Sequence, residues 1–479
     1  AITTALATFA KKDSPIDKGE NPQDTLKSYY LDEFVITTSV KETNDIKKMP
    51  TAVSIITPKQ LLNSRIESLP EMSAVIPNFF IPSYGSKVST PIYIRGIGAR
   101  SGAQTVSLYV DNIPSFNPSA FDFEFQDIQR VEVLRGAQGT LYGRNAIGGI
   151  VNIYTLSPLT HQGTSLMLNG GSYGEFGGSF SHYNKLSDNF GASASAYYKR
   201  NDGYFKNSYM NKRVDGTENI GAKVKLEWEI SPKFKALYSV NYDQFKQNGY
   251  PYMHEDSVAA TNNDPSSYKR NLVTNGLTLN YKGNGYSLNS TTGYQYLNDK
   301  MVMDQDYTEL SVFAITQMQK QHSLSQEFTI KSENSSNYKW VYGLFGFVDN
   351  RTIDTPVSIK KDGVKAMQAM LDRIGAGNPN VPEIKYTKEQ IELPGVYKKP
   401  VNGVALFHQS TINSLFSIEG LSATAGIRFD YEQSGIDFHT NSEGAEVSIK
   451  IKTAPLPPFI VNGDTTMAGE FKKDYWEVL

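Results

Sequence analysis

The sequence predicts a membrane β-barrel of antiparallel strands, preceded by a mixed α+β domain that ends near Thr155. Three observations carry this reading. Beyond Pro158, long segments alternate apolar and polar side chains with a period of two, the mark of strands with one apolar and one polar face. The connections between them alternate short and long, the layout of an outer-membrane barrel, which a sandwich or solenoid has no reason to adopt. Before Pro158, glycine, proline and polar runs cut the chain into short strands, small helices and loops, as in a separate α+β unit.

Taken in order, residues 1–10 are small and apolar and read either as the remnant of a signal-peptide hydrophobic region or as an ordinary ordered N-terminal segment. Residues 11–27 are charged, polar and punctuated by Pro and Gly, a flexible linker. The β-prone run Leu31, Asp32, Glu33, Phe34, Val35, Ile36, Thr37, Thr38 follows. Such a segment on a flexible arm can add itself as a strand to a partner's sheet edge. A short strand at 52–56 leads into Thr57-Pro58-Lys59-Gln60, which reads as N-cap, Pro at N1 and Gln at N3 of a helix. Leu61, Leu62, Ile66 and Leu69 give that helix one apolar face. Pro70 opens a second short turn through Met72 and Ile76. Strands at 92–95 and 106–110 are followed by polar loops at 98–104 and 114–120.

In the second part, Val224, Leu226, Trp228 and Ile230 alternate with Lys223, Lys225, Glu227 and Glu229. The same alternation runs through Phe234 to Tyr242, Leu277 to Tyr281, Tyr286 to Tyr296, Leu324 to Ile330, Trp340 to Val348 and Leu421 to Tyr431. Connections at 187–189, 231–233, 282–285 and 333–337 are tight, and those at 201–216, 247–270, 298–321 and 351–402 are long. The pattern predicts about eleven to thirteen strands from Ser165 onward, with the long loops outside the cell.

Composition closes off several classes. With no cysteine there is no disulfide framework, thiolate metal site or cysteine nucleophile. A net charge of −2 gives no bulk basic surface for nucleic acid. No apolar run is long enough for a helical membrane span. The hydrophobic content of 39% suits either a soluble all-β protein or a barrel whose alternating strands dilute hydropathy. Gly170-Gly171-Ser172-Tyr173-Gly174 matches the nucleophile-elbow pattern but lies between two alternating β segments, so a hairpin turn is expected there. The six histidines show no metal-ligand spacing, and none falls in the α+β domain. In the longest loop Met367, Met370, Leu371 and Ile374 share a helix face that Gly375 can end. An outer-loop helix of that kind can cap a pocket or touch a surface partner such as a lipoprotein.

The most informative stretch is 127–153. It begins as a strand with Arg130 and Glu132 on one face and Val131 and Val133 on the other, is broken by Gly136, Gly139 and Gly143, and returns to an apolar strand at 148–153. Charges on a packed strand face need partners, which suits a polar-lined barrel interior. The run Arg130-Val131-Glu132-Val133-Leu134-Arg135-Gly136, with Gly139-Thr140-Leu141-Tyr142-Gly143 and Gly148-Gly149, resembles the end of the plug domain of TonB-dependent outer-membrane receptors. Ile94-Arg95-Gly96-Ile97-Gly98 resembles the family's Ile-Arg-Gly motif, and Leu108-Tyr109-Val110-Asp111-Asn112-Ile113-Pro114 its Tyr-Val-Asp-Gly-Val strand and turn. Ala137 stands where the family often has Pro, and Asn112 where it often has Gly; Asn tolerates the left-handed conformation such a turn requires.

The resemblance implies a plug inside a barrel of about 22 strands, of which this chain supplies about half and is incomplete at its C-terminus. It divides the chain into a signal remnant and flexible arm (1–30), a TonB box (31–39) containing Asp32, Glu33, Phe34, Val35, Ile36, Thr37 and Thr38, a plug (40–157) and the N-terminal part of the barrel (158–479). It implies energised uptake across a Gram-negative outer membrane, with TonB and its ExbB–ExbD motor, the outer-membrane lipids and lipopolysaccharide, and a small-molecule ligand as partners. Ferric siderophore is the expected ligand, with iron entering as cargo and no intrinsic cofactor or metal. Cobalamin, haem and oligosaccharide are the alternatives within this mechanism, and a passive porin or a surface adhesin outside it. The ligand site is expected at the plug apex, at Tyr84, Ser86, Arg100, Ser101, Gln104, Phe116 and Asn117, where arginine and aromatics suit an anionic or aromatic chelate. Arg95, Arg130, Glu132, Arg135 and Arg144 are expected to form a plug–barrel charge lock with wall carboxylates such as Glu327.

Overall fold

Five strands build the N-terminal sheet: β1 (Ala52–Ile56), β2 (Val106–Val110), β3 (Ile113–Pro114), β4 (Ile128–Arg135) and β5 (Gly149–Thr155), in the spatial order β1-β4-β5-β2-β3. Strands β2 and β5 run parallel, and the other neighbours antiparallel. The computed structural model describes residues 3–9, 41, 51–100, 104–143, 145–253, 255–333, 337–418 and 420–479. Helix α1 (Pro58–Asn63) begins with the expected capping box, Thr57 and Gln60 each satisfying the other's backbone N–H. Leu61, Leu69, Met72, Ile94, Val131, Val133, Val151 and Ile153 close one buried core under the sheet.

Twelve strands follow in sequence order, each antiparallel to the next. They are β6 (Gly163–Gly170), β7 (Phe176–Ser187), β8 (Phe190–Asn201), β9 (Thr217–Ser231), β10 (Phe234–Gln247) and β11 (Ser267–Lys282). Then come β12 (Tyr286–Asp304), β13 (Phe313–Ser332), β14 (Tyr338–Asp354), β15 (Gly395–Asn413), β16 (Ser422–Asn441) and β17 (Thr466–Val478). The backbone of Thr3–Phe9 pairs with the free side of β6. One rim carries the connections 188–189, 232–233, 283–285, 333–337 and 414–421. The other carries 171–175, 202–216, 248–266, 305–312, 355–394 and 442–465. Gly170 pairs with Phe176, so the nucleophile-like motif is a hairpin turn.

This large sheet is built inside out. On β12, Ser287, Asn289, Thr291, Gln295 and Asp299 are buried while Leu288 is exposed; on β13, Gln319, Gln321, Ser323, Ser325 and Glu327 are buried while Leu324 and Phe328 are exposed. Polar side chains packed inward and apolar ones facing out are what a strand needs when its outer solvent is lipid and its inner neighbour a polar surface. The N-terminal domain fills the polar side. A shallow apolar groove of about 730 Å³ around Leu288, Phe328, Leu344 and Leu406 lies on the outward, apolar face of the sheet.

Local departures from the sequence reading have physical causes. Helix α1 stops at Asn63 because Arg65 takes a positive φ of 52°. Leu62 is therefore exposed, and Ile66 and Leu69 reach the core from irregular backbone rather than from one helix face. The strand expected at 92–95 is only Tyr93–Ile94, since Arg95 and Gly96 both adopt positive φ in a tight turn. In the long connection 355–394, α2 (Lys361–Gly375) forms as expected. It packs through Gly363 and Val364, however, leaving Met370 and Ile374 exposed. Gly375 is its last residue rather than a left-handed cap; the positive φ falls on Gly377. The strand Glu383–Tyr386 from this connection joins Glu446–Lys450 and Phe459–Asn462 from the next long connection in a small three-stranded sheet beyond the rim.

Candidate functional site

The boundary between plug and wall is where the sequence concentrates buried charge. On the wall, Lys199 of β8 reaches Glu67 at 2.5 Å and Glu124 at 3.5 Å. Lys225 of β9 lies 3.6 Å from Asp111 and donates to the Thr155 hydroxyl at 2.9 Å. Arg270 of β11, fully buried, pairs with Asp243 on the wall and donates to the carbonyls of Ser119 and, at 2.9 Å, Asp122 in the plug. The turn Asp111-Asn112, both at positive φ, aims Asp111 back along the sheet, where its carboxylate also accepts from the Thr155 N–H and hydroxyl. Burial works to raise the Asp111 carboxyl, but Lys225, Lys223 and Thr155 together hold it below the usual carboxylate value. Within the plug, burial lowers Lys87, yet Asp122 and Glu124 overcome it and hold the ammonium above its ordinary range.

These contacts correct the expected charge lock. Arg130 pairs with its own neighbour Glu132 at 2.6 Å and stacks on Tyr154, because side chains two apart on a strand share a face. Burial pushes the Glu132 carboxyl up despite that arginine. Arg135 donates to the Pro77 carbonyl at 2.9 Å, Arg95 is exposed, and Arg144 lies outside the described residues. Glu327 does meet a plug cation, but the partner is Lys41, at 2.6 Å. At Lys199 and Lys225 the polarity is therefore the reverse of the expectation, with cations on the wall and carboxylates on the plug. The residues expected as a TonB box, Asp32 to Thr38, lie outside the described residues.

The expected apical residues fall into two groups. Tyr84 carries the Arg100 guanidinium over its ring at 4.4 Å. Its carbonyl accepts from the Tyr252 hydroxyl, and Gln247 donates to the Gly85 carbonyl at 2.6 Å. Ser86 turns the chain by accepting from the Val88 N–H. Tyr252 stacks on Tyr250 and meets Tyr307 edge-on, so the wall loops add three tyrosines to the Tyr84–Arg100 pair. Sequence reasoning missed these; their signal was Tyr250-Pro251-Tyr252 and Tyr307 inside long connections. In the second group, Gln104 donates to the Phe116 carbonyl, Phe116 lies 5.7 Å from Phe347, and Asn117 donates to Gln321 at 2.6 Å. Ser101 lies outside the described residues.

From this second group a cavity of about 650 Å³ runs along the plug past Tyr109, Tyr142 and Gly143, with Phe345, Phe347, Arg428 and Asp430 on its wall side. Arg428 is clamped by Asp430 through two hydrogen bonds of 2.7 and 2.9 Å. Gly143 is required here: a Cβ would stand 2.6 Å from the Arg428 guanidinium, and its φ of 74° would strain any side chain. Among the described residues no His, Asp or Glu group is gathered as a metal site.

Comparison with known proteins fits this geometry. Residues 45–150 match the TonB-dependent Receptor Plug Domain. The pesticin receptor of Yersinia pestis is 30% identical over 127 residues, covering 26% of this chain and 19% of that protein. The vitamin B12 transporter BtuB of Photobacterium profundum is 26% identical over 216 residues, covering 42% of this chain and 34% of that protein. This chain thus spans a fifth to a third of those relatives. In structure it is similar to the ferric yersiniabactin uptake receptor FyuA of Yersinia pestis, with a TM-score of 0.63 at 17% identity over 89% of this chain and 62% of that one. Residues 45–150 thus match the plug domain of TonB-dependent receptors, and the plug sheet docked by hydrogen bonds and ion pairs against the polar face of an inside-out antiparallel sheet shares the fold of those receptors.

Proposed function

We propose that this protein carries out TonB-dependent uptake of a scarce ligand, a ferric siderophore, across the outer membrane of a Gram-negative bacterium. The observation that carries the reading is the folded plug held against the lumenal face by contacts that water can replace, such as Lys199–Glu67 and Asn117–Gln321. A passive porin needs no such domain, and neither an adhesin nor an enzyme accounts for it. Residues 40–157 act as the gate and 158–479 as part of the spanning wall, surrounded by lipid and lipopolysaccharide. The ligand docks at the apical Tyr84–Arg100 group with Tyr250, Tyr252 and Tyr307, whose rings and cation suit an aromatic, anionic chelate. Likeness to BtuB supports cobalamin as the second reading. TonB, driven by ExbB–ExbD, engages residues 32–38 from the periplasm and supplies the energy.

Deleting residues 32–38 tests this. Ligand binding to whole cells is expected to persist while accumulation stops, as it also stops in the unmodified protein when the proton gradient is collapsed. Accumulation at the normal rate in the deletion strain would overturn active transport in favour of a passive pore. Competition between radiolabelled ferric siderophore and cyanocobalamin separates the two ligand readings.

A further inference from the structure

Four lysines gather on the outward face of the wall, at the rim that carries the long connections. Lys246 of β10 is the register partner of Lys269 of β11, and Lys269 is that of Lys300 of β12. Lys320 of β13 is the partner of Asn298, in the row just below. The sequence neighbours Phe245, Arg270, Asp299 and Gln321 are buried on the plug side, so the alternation of a strand turns all four lysines outward. Adjacent strands lie about 4.8 Å apart, so the four cations spread over about 14 Å. Like charges directly opposite one another on neighbouring strands cost stability. Lys246 is relieved by Glu218 of β9 at 2.9 Å, and along the same level Arg200 meets Asp202 at 3.3 Å. Among the described residues, Lys269, Lys300 and Lys320 pair with no carboxylate. A rim that is merely solvated has no reason to bring three such cations together. The rows below them grade from polar to apolar. Gln244, Asn271 and Asn298 come first, with Gln244 and Tyr242 donating to the Asn271 side chain at 2.9 and 3.2 Å. Tyr242 and Tyr296 stand in the next row, and exposed Leu277, Leu324 and Phe328 lie below.

We propose that Lys246, Lys269, Lys300 and Lys320 bind the phosphate groups of a phosphorylated, acylated glycolipid, of the lipopolysaccharide class, seated on the outward face of β10–β13. The choice of lipid rests on the outer-membrane reading above, whereas the phosphate site rests on the lysines themselves. A phosphate shared between neighbouring ammonium groups turns their repulsion into attraction, and flexible stems let each reach it as a point charge. The amide row offers donors and acceptors to the hydroxyls and amides of a sugar backbone. Tyrosines suit the boundary between head group and acyl chains, and the leucines and Phe328 suit the chains. A nucleic acid or a soluble polyanion would use the cations but not the apolar band directly beneath them. A phospholipid with one phosphate meets a single stretch of a line about 14 Å long. A glycolipid with a phosphate at each end of its sugar backbone spans it.

The test titrates the full chain, purified in detergent and stripped of lipid, with bisphosphorylated lipid A, and counts bound lipid by native mass spectrometry. Each lysine facing an anionic lipid contributes about fivefold in affinity, so Lys269→Gln/Lys300→Gln is expected to bind about thirtyfold less tightly. Lys269→Arg/Lys300→Arg keeps the affinity, and so does Lys282→Gln at the opposite rim. Dephosphorylated lipid A, phosphatidylglycerol and inorganic phosphate each bind the unmodified protein more weakly. Unchanged affinity in the double glutamine variant overturns the site. Equal affinity for dephosphorylated lipid A also overturns it, since the apolar band alone then holds the lipid. Phosphatidylglycerol or inorganic phosphate bound as tightly as lipid A overturns the glycolipid assignment. Should the double variant fail to fold, the dephosphorylated lipid probes the same contact on the unmodified protein. If lipid A binds as expected while cells accumulate ligand without residues 32–38, the site stands and the transport reading falls; the converse pair of results removes the site alone.

Discussion

Gly276 of β11 and Gly293 of β12 face each other across the wall as a register pair, and the side chain of plug residue Ile113 sits against both. A Cβ on Gly276 would stand 1.9 Å from the Ile113 Cδ1, and one on Gly293 2.6 Å from its Cγ2. Two wall positions lack a side chain where the β2–β3 hairpin of the plug touches them, so the hairpin seats there by shape while Asp111, in its turn, seats by charge.

Replacing either glycine by valine is expected to unseat that hairpin. Forcing extra carbons into a packed contact costs about 1–3 kcal/mol, taken up by displacement of Ile113 rather than by the hydrogen-bonded wall. Faster hydrogen exchange at residues 110–113, with unchanged exchange in β11 and β12, is the expected result. Unchanged exchange in the hairpin would show that the wall gives way instead.

Asp111→Asn removes the charge that Lys225 faces and is expected to weaken plug docking by up to about 3–5 kcal/mol, the range for breaking a buried pair. The pH dependence has a definite sign. The folded Asp111 carboxyl is held below its ordinary value, so its contribution is present above the unfolded value of about 3.9. It is lost as pH falls through the lower, folded value. Urea-induced plug release followed against pH should show this acid limb in the wild type and a flatter one in Asp111→Asn. A limb of equal steepness in both would assign it to other carboxylates.

At the apex, Arg100→Ala and Tyr252→Ala should each weaken binding of an anionic ferric chelate, the arginine more. Loss of a charged hydrogen bond is worth about 1.5–3 kcal/mol, roughly a ten- to hundredfold rise in Kd. Titration of the purified protein reads this directly, with the lipid-facing Tyr338→Ala as control. Equal affinity in all three variants would move the site elsewhere.

Topology is checked with single cysteines at Val258, fully exposed in a long connection, and at Asn284 in a tight one. A membrane-impermeant thiol reagent should label Val258→Cys on intact cells and Asn284→Cys only after the outer membrane is opened. The reverse pattern would invert the barrel.

The strands were legible in the sequence because lipid on one side and polar protein on the other impose a period-two code, plain at Val224, Leu226, Trp228 and Ile230. The hairpin at Asp111-Asn112 was legible because left-handed backbone restricts the residue types. What the code cannot carry is which inward polar residue meets which plug residue. Lys225 read only as an inward polar position, Arg270 fell at the end of an expected long connection, and Lys199 carried no signal of its own; their partners lie between 70 and 151 residues away. Arg130 looked outward-seeking because a strand pattern shows its face but not that Glu132, two positions on, already satisfies it. Lys41 fell in an undistinguished stretch between two recognisable motifs, and only the fold gives it three aromatic neighbours.

The place of Lys41 also sets a length scale. Three residues separate it from Thr38, and a fully extended chain spans at most about 3.3–3.6 Å per residue. The slack between the two positions is therefore no more than about 10 Å. Any displacement of Thr38 beyond that slack would load the Lys41–Glu327 pair.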